Sequence, residues 1–133
     1  MTDTAVTSRE SKGSNIALIL EHYTAAAITT GTAKKEWVCP IYGRIVDVIV
    51  DSENAGITGG TSDIIDVNIG GTTIYTTQDN RPTLLLGDTG LWTEAAEPEV
   101  QNLSPGDIVS YDIDQICTTG SERVKVTILI ARR

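Results

Sequence analysis

The sequence predicts an all-β protein: a jelly-roll-like β-sandwich of about eight strands carrying an extended N-terminal arm. Three observations predict it. Apolar and polar residues alternate at a period of two in several short runs, most clearly Ile65, Val67 and Ile69 against Asp66 and Asn68. Glycine, proline, serine and asparagine clusters separate those runs. The apolar stock is also aliphatic: there is no Phe, and aromatic residues make up 5% of the chain. A core built from Ile, Val and Leu suits strands, because β-branched side chains pack well on a pleated surface. The 133 residues suffice for one domain with its own core. The boundaries expected are an arm over 1–14 and a β-domain over 15–133.

Met1–Ser14 is polar and rich in Thr and Ser. Alone it buries too little to order itself, so it is expected to lie extended against a neighbouring chain or its own domain. It lacks the basic and apolar regions of a secretion signal. Ile16–Leu20 is a short apolar run that fits a strand or a buried helical turn. Thr24–Thr30 reads as extended. Lys34–Cys39 alternates weakly and is closed by Pro40, which has no N–H for a ladder. Gly43–Asp51 is a clear strand, with Val46, Val48 and Val50 on one face. Ile45 and Ile49 lie with Asp47 and Asp51 on the other. That partly apolar second face calls for cover by another element or subunit.

Ser52–Thr61 is loop chemistry. Ser62–Thr77 reads as a hairpin, because a tight turn at Gly70-Gly71 needs positive φ at its centre. Gln78–Arg81 is a turn, and Pro82–Leu86 a short apolar run. Asp88–Pro105 is the longest irregular stretch, acidic and broken by Pro98 and Pro105. A loop of that length usually has a use. Two long strands close the chain, Asp107–Ile116 and Glu122–Arg132, with Thr118–Ser121 expected as a hairpin loop between them.

The net charge of −8 repels a phosphate backbone and an anionic membrane, so neither nucleic acid nor membrane is expected as a partner. No apolar run approaches the roughly 20 residues of a membrane-spanning helix. Cys39 and Cys117 show no metal pattern; they are two packed thiols or one disulfide. His22 is the only histidine, and nothing around it resembles a nucleophile turn. No catalytic residue, cofactor or metal site is therefore expected. Asp112 and Asp114 share a strand face but lack a calcium loop around them, and read as a solvated face. Asn102-Leu103-Ser104 matches a glycosylation pattern but is followed by Pro105 and has no secretion signal to support it. Few aromatics in a chain are usually core or interface anchors. Trp92, in the acidic loop, is the one expected to meet a partner.

The second half resembles a small β-domain that recurs in structural proteins of tailed bacteriophages. The run Gly43-Arg44-Ile45-Val46-Asp47-Val48-Ile49-Val50 looks like its "G-x-I-x-x-V-x-V" strand. Asp66–Tyr75 looks like its "D-V-N-x-N/G-G-x-x-I-F/Y" hairpin. Arg81–Leu84 and Pro105–Ile116 match its "R-P-T-I" and "G-D-x-I-x-x-D-V-D-Q-V" segments. The resemblance runs from about Gly43 to Arg133. It implies a jelly roll of a virion appendage or a capsid-decorating (cement) protein, often trimeric. The implied function is a capsid decoration protein on the outer shell of a virion assembled in the host cytoplasm, and not an enzyme. The implied partners are the major capsid protein and other copies of the chain. Thr2, Val6 and Arg9 of the arm, with Trp92, are then the expected capsid contacts. Ile45, Ile49 and Trp37 are the expected subunit interface. The alternative is a carbohydrate-binding or adhesion module of a tail or baseplate, with Trp92 as a stacking platform.

Overall fold

Alternation at a period of two is realised as strands throughout. A computed structural model describes residues 16–54, 62–84, 92–117 and 120–133. The arm, with Thr2, Val6 and Arg9, lies outside the described residues. In chain order the strands are β1 Ile16–Thr24, β2 Gly31–Val38, β3 Gly43–Asn54, β4 Asp63–Ile69, β5 Thr72–Thr73, β6 Thr83–Leu84, β7 Trp92–Glu94, β8 Asn102–Leu103, β9 Ile108–Gln115 and β10 Glu122–Arg132. A 3-10 turn, Gln78–Asn80, lies between β5 and β6.

The strands form two antiparallel sheets. The first runs β1-β10-β3-β7, with β8 also on β3; the second runs β2-β9-β4-β5, with β6 also on β4. First strand pairs with last, second with next to last, and so inward, which is the nested order of a jelly roll. The inner faces meet in one core. Val124, Val126, Ile128 and Ile130 of β10 face Ile65 and Val67 of β4 and Val109, Tyr111 and Ile113 of β9, all almost fully buried. Fully burying one such aliphatic side chain stabilises by roughly 1.5–3 kcal/mol.

The Gly70-Gly71 turn takes φ of 59° and 82°, the two positive values a tight hairpin turn needs and side-chain-bearing residues resist. In Ser104-Pro105-Gly106-Asp107, Pro105 supplies the fixed φ and Gly106 the positive one, at 94°. The Asp107 N–H donates to the Ser104 carbonyl at 3.0 Å. The Asp107 carboxylate accepts the Ser104 N–H at 2.8 Å.

Several expectations change. Ile16–Thr24 takes the strand of the two alternatives the run allowed, whereas 25–30, read as extended, belongs to no strand and buries Ile28. The acidic stretch expected to be irregular contains β7 and β8, both paired with β3. Between them Ala95 N–H donates to Val48 O at 3.0 Å and Val100 N–H to Ile74 O at 3.1 Å. β9 and β10 do not form a hairpin: each belongs to a different sheet, so their connection crosses the sandwich.

The face of β3 also differs. Register with β10 steps from Leu129↔Asp47 to Ile130↔Ile45, which leaves Val46 as the extra residue of a β-bulge. A one-residue bulge exchanges the faces beyond it. Ile45 therefore joins Val48 and Val50 in the core, fully buried. Its expected place at an exposed subunit seam is corrected on that ground. Ile49 stays on the outer face, half-buried.

Candidate functional site

The inner faces are filled by packing, so any docking chemistry belongs to the outer faces. The outer face of the second sheet carries Asp66 and Asn68 of β4 opposite Asp112 and Ser110 of β9. Alternation alone would expose them. Instead Asp66, Asn68 and Ser110 are each more than nine-tenths buried.

Two different covers produce this. At one end the chain after β5 folds back over the sheet. The Thr73 hydroxyl donates to the Asp66 carboxylate at 2.7 Å and accepts the Tyr75 N–H at 3.0 Å. The Gln78 amide donates to the Tyr75 carbonyl at 2.8 Å. Arg81 pairs with Asp114 at 2.7 Å and donates through Nε to the Gln78 carbonyl at 2.8 Å. Burial pushes the Asp66 carboxyl above the usual carboxylate range; the Thr73 hydrogen bond offsets part of this, and nearby Asp114 adds to it. Tyr75, on this returning segment, is fully buried in the core, and its hydroxyl has no hydrogen-bond partner among the described residues.

At the other end the cover is incomplete and leaves a pocket of about 360 Å³. Its floor is Asn68 and Ser110, one wall is Glu36 and Asp112, and the rim includes Thr32, Ile108 and the Gly70-Gly71 turn. The wall exists because β2 bulges. Register passes from Gly31↔Ile113 to Lys35↔Tyr111, so Thr32, Ala33 and Lys34 stand out from the ladder. Ala33 adopts φ of 49°, and its N–H donates to the Asp112 carboxylate at 2.8 Å. Beside the mouth, Val38 pairs with Ile108, and they are 66% and 44% exposed.

The outer face of the first sheet is mixed, open along β1 but closed at Asp47 of β3, which is 3% exposed. Its cross-strand rows are Ile19–Leu129–Asp47, Glu21–Thr127–Ile49 and Tyr23–Lys125–Asp51. Ile19 and Tyr23 are 55% and 54% exposed, and Lys125 reaches Glu21 at 3.6 Å. This row of apolar side chains was legible as alternation along Ala17-Ile19-Glu21-Tyr23 once a strand is assigned there.

The predicted site residues fall in different places. Trp92 opens β7, where its backbone pairs with Asp51; its side chain lies outside the described part. Trp37 is half-buried and packs inward, its ring 6.2 Å from that of Tyr111, so it is not grouped with Ile49. His22 is half-buried, also turns inward and meets the Tyr111 hydroxyl at 2.6 Å. Burial raises the Tyr111 phenol above its ordinary value, a hydrogen bond from Thr24 offsetting part of the shift. Asp112 and Asp114, whose face was expected to be solvated, each hold a protein donor, the Ala33 N–H and Arg81. Cys39 and Cys117 are buried free thiols. Glu36, Asn68 and Ser110 were not singled out by sequence, because the bulge that walls the pocket has no local signature.

No protein-family model matches the chain, and no curated protein matches it in sequence. Among solved structures, a chain of the cyanophage Pam1 capsid asymmetric unit superposes with a TM-score of 0.50 at 16% identity. The match covers 86% of this chain and 85% of that chain. At this identity the likeness is one of fold.

Proposed function

We propose that the chain is a structural protein of a bacteriophage virion, and within that class a capsid decoration (cement) protein. The observation that carries the reading is the fold-level likeness to a cyanophage capsid chain over most of both lengths. The motif resemblance from Gly43 onward points the same way. In this reading the domain is a rigid scaffold without catalytic work. It sits on the outside of the shell, bound to the major capsid protein, after assembly in the host cytoplasm. Binding only the assembled shell, it stabilises that state by mass action. Copies associate as a homotrimer, and the exposed row of Ile19 and Tyr23 with half-buried Ile49 and Leu129 supplies the apolar seam. Thr2, Val6 and Arg9 of the arm and Trp92 remain the proposed contacts to the shell.

Co-sedimentation with shells of the parent phage lacking this chain tests the reading. Full-length protein is expected to bind at saturable, shell-matched stoichiometry and to raise the shell's melting temperature. A version lacking residues 1–14 is expected to fail in both. If neither form binds shells, the decoration reading is wrong.

A further inference from the structure

We propose that the pocket between the β2 bulge and the Gly70-Gly71 turn is a receptor for an arginine side chain presented by a protein partner. The Asn68 amide and Ser110 hydroxyl belong to side chains only 5% and 6% exposed, and they take no hydrogen-bond partner among the described residues. Buried polar groups in native proteins are almost always paired, since leaving one unpaired costs about as much as a lost hydrogen bond. Both line the cavity, so a ligand seated there can donate to the Asn68 Oδ1 and the Ser110 Oγ.

The lining then selects the ligand's charge. Glu36 and Asp112 bring two carboxylates to the walls, and no cationic side chain lines the pocket. One Asp112 oxygen holds the Ala33 N–H, which fixes the carboxylate in place. Around it stand further acceptors: the Asn68 carbonyl, the Ser110 oxygen and the Thr32 hydroxyl. An acceptor-rich, anionic cavity calls for a donor-rich cation. Guanidinium offers five N–H donors in a planar fork that matches a carboxylate in bidentate fashion, which ammonium does not. A volume of about 360 Å³ accommodates such a group with part of its stem, and exposed Val38 and Ile108 at the mouth give the methylenes an apolar shoulder. The lining holds no aromatic ring for a sugar to stack on. The pocket stands on this geometry alone; naming a shell protein as the arginine's source rests on the decoration reading.

Nuclear magnetic resonance on the ¹⁵N-labelled full chain tests this with Nα-acetyl-arginine amide as probe. Nα-acetyl-citrulline amide serves as the neutral isostere, Nα-acetyl-lysine amide as the second cation and methyl α-glucoside as the sugar. Saturable shifts at the Asn68 side-chain amide and the Ser110 and Gly71 backbone amides are expected with arginine, and at most weak ones with lysine. Glu36 is exposed, so Glu36→Gln keeps the fold, as the unchanged remainder of the spectrum would show. It should weaken arginine binding about tenfold by removing a charge-assisted hydrogen bond. Saturable shifts from the glucoside or citrulline probe equal to those from arginine, or none from arginine, overturn the proposal. Co-sedimentation of E36Q with shells separates the two readings. Arginine binding without shell binding leaves the pocket standing and removes the decoration function. Shell binding unaffected by E36Q removes the shell protein as the arginine's source and leaves decoration standing.

Discussion

The two outer faces of the sandwich are built from the same alternating strands, yet the β1–β10 part of the first and the β4–β9 part of the second end in opposite environments. On the first sheet Glu21 and Lys125 meet at 3.6 Å with about half of each side chain in water. On the second, Asp66 and Asn68 are each only 5% exposed. Strand parity decides which face a side chain takes. Exposure is decided by whatever non-local segment folds over that face. The return after β5 covers Asp66; Asp63, with the parity of Ile65 and Val67, faces inward instead and is held by Cys117 and Ser121 where the chain crosses between the sheets. A carboxylate under such a cover must be held by specific donors, whereas one in water need not be, so the energetic weight of the two faces should differ sharply.

The largest effect is expected at Asp63. Its carboxylate accepts the Cys117 N–H at 2.9 Å and the Ser121 hydroxyl, tying the start of β4 to the segment that crosses between sheets. Asp63→Ala leaves buried donors without an acceptor, so a loss of roughly 3 kcal/mol is expected. Urea unfolding reads it as a lower midpoint at unchanged slope. A loss under about 1 kcal/mol would mean that the crossover is held by other contacts.

Tyr75 is the converse case, a buried group whose removal helps. Burial, reinforced by the negative charges of Asp66, Asp47 and Glu99, drives its phenol far above the ordinary value. The hydroxyl therefore stays protonated, and no described residue accepts from it. Tyr75→Phe keeps the ring and deletes the unpaired oxygen. It should gain about 1 kcal/mol by the same urea measurement. A loss would show that a partner outside the described residues holds the hydroxyl.

Asp66 gives the comparison a pH axis. Its folded-state pKa is raised, so the native state binds the proton more tightly than the unfolded chain. Stability then falls as pH rises from the unfolded value through the raised folded one. Asp66→Asn keeps an oxygen to accept the Thr73 hydroxyl and should abolish that fall. Exposed Glu99 works in the opposite sense. Thr77 hydrogen bonds hold its carboxyl below the usual value, so its contribution is present above the unfolded pKa and lost as pH falls through the folded one. Thermal melts of D66N and the parent protein across the acidic range, at high salt, separate the two. Parallel curves would show that Asp66 titrates as it does in the unfolded chain.

Much of the architecture was legible because it is local. The alternation of Val124 to Ile130, the Gly70-Gly71 turn and the Pro105-Gly106 turn each fix their own conformation from neighbouring residues. What was not legible depends on pairing between distant segments. Thr118–Ser121 looks like a hairpin loop, but nothing in it says that β9 and β10 belong to different sheets. The bulge at Val46 shows only in register with β10, and it moved Ile45 from an expected seam into the core. The pocket needs three strands at once: the β2 bulge, Asn68 on β4 and Ser110 on β9. The polar alternation of β4 and β9 was visible, but not that a third strand would wall it in.

The smallest effect is expected on the first sheet. Glu21 and Lys125 are both about half exposed, so water competes for each group and dissolved ions screen their attraction. A double-mutant cycle with Glu21→Gln and Lys125→Met should give a coupling of no more than about 0.5 kcal/mol, shrinking further at high salt. Ile19 and Tyr23 flank this pair on the same open face, and substituting Ile19 by Ser should likewise leave the unfolding midpoint within about 0.5 kcal/mol of the parent's. That tolerance gives the contrast its functional edge. A face that contributes little to folding is free to be shaped for contact with another chain, and, on the proposed homotrimer, I19S should weaken self-association, measured by analytical ultracentrifugation, without weakening the fold. A coupling above about 1 kcal/mol in the isolated chain would show that this face is held as firmly as the covered one.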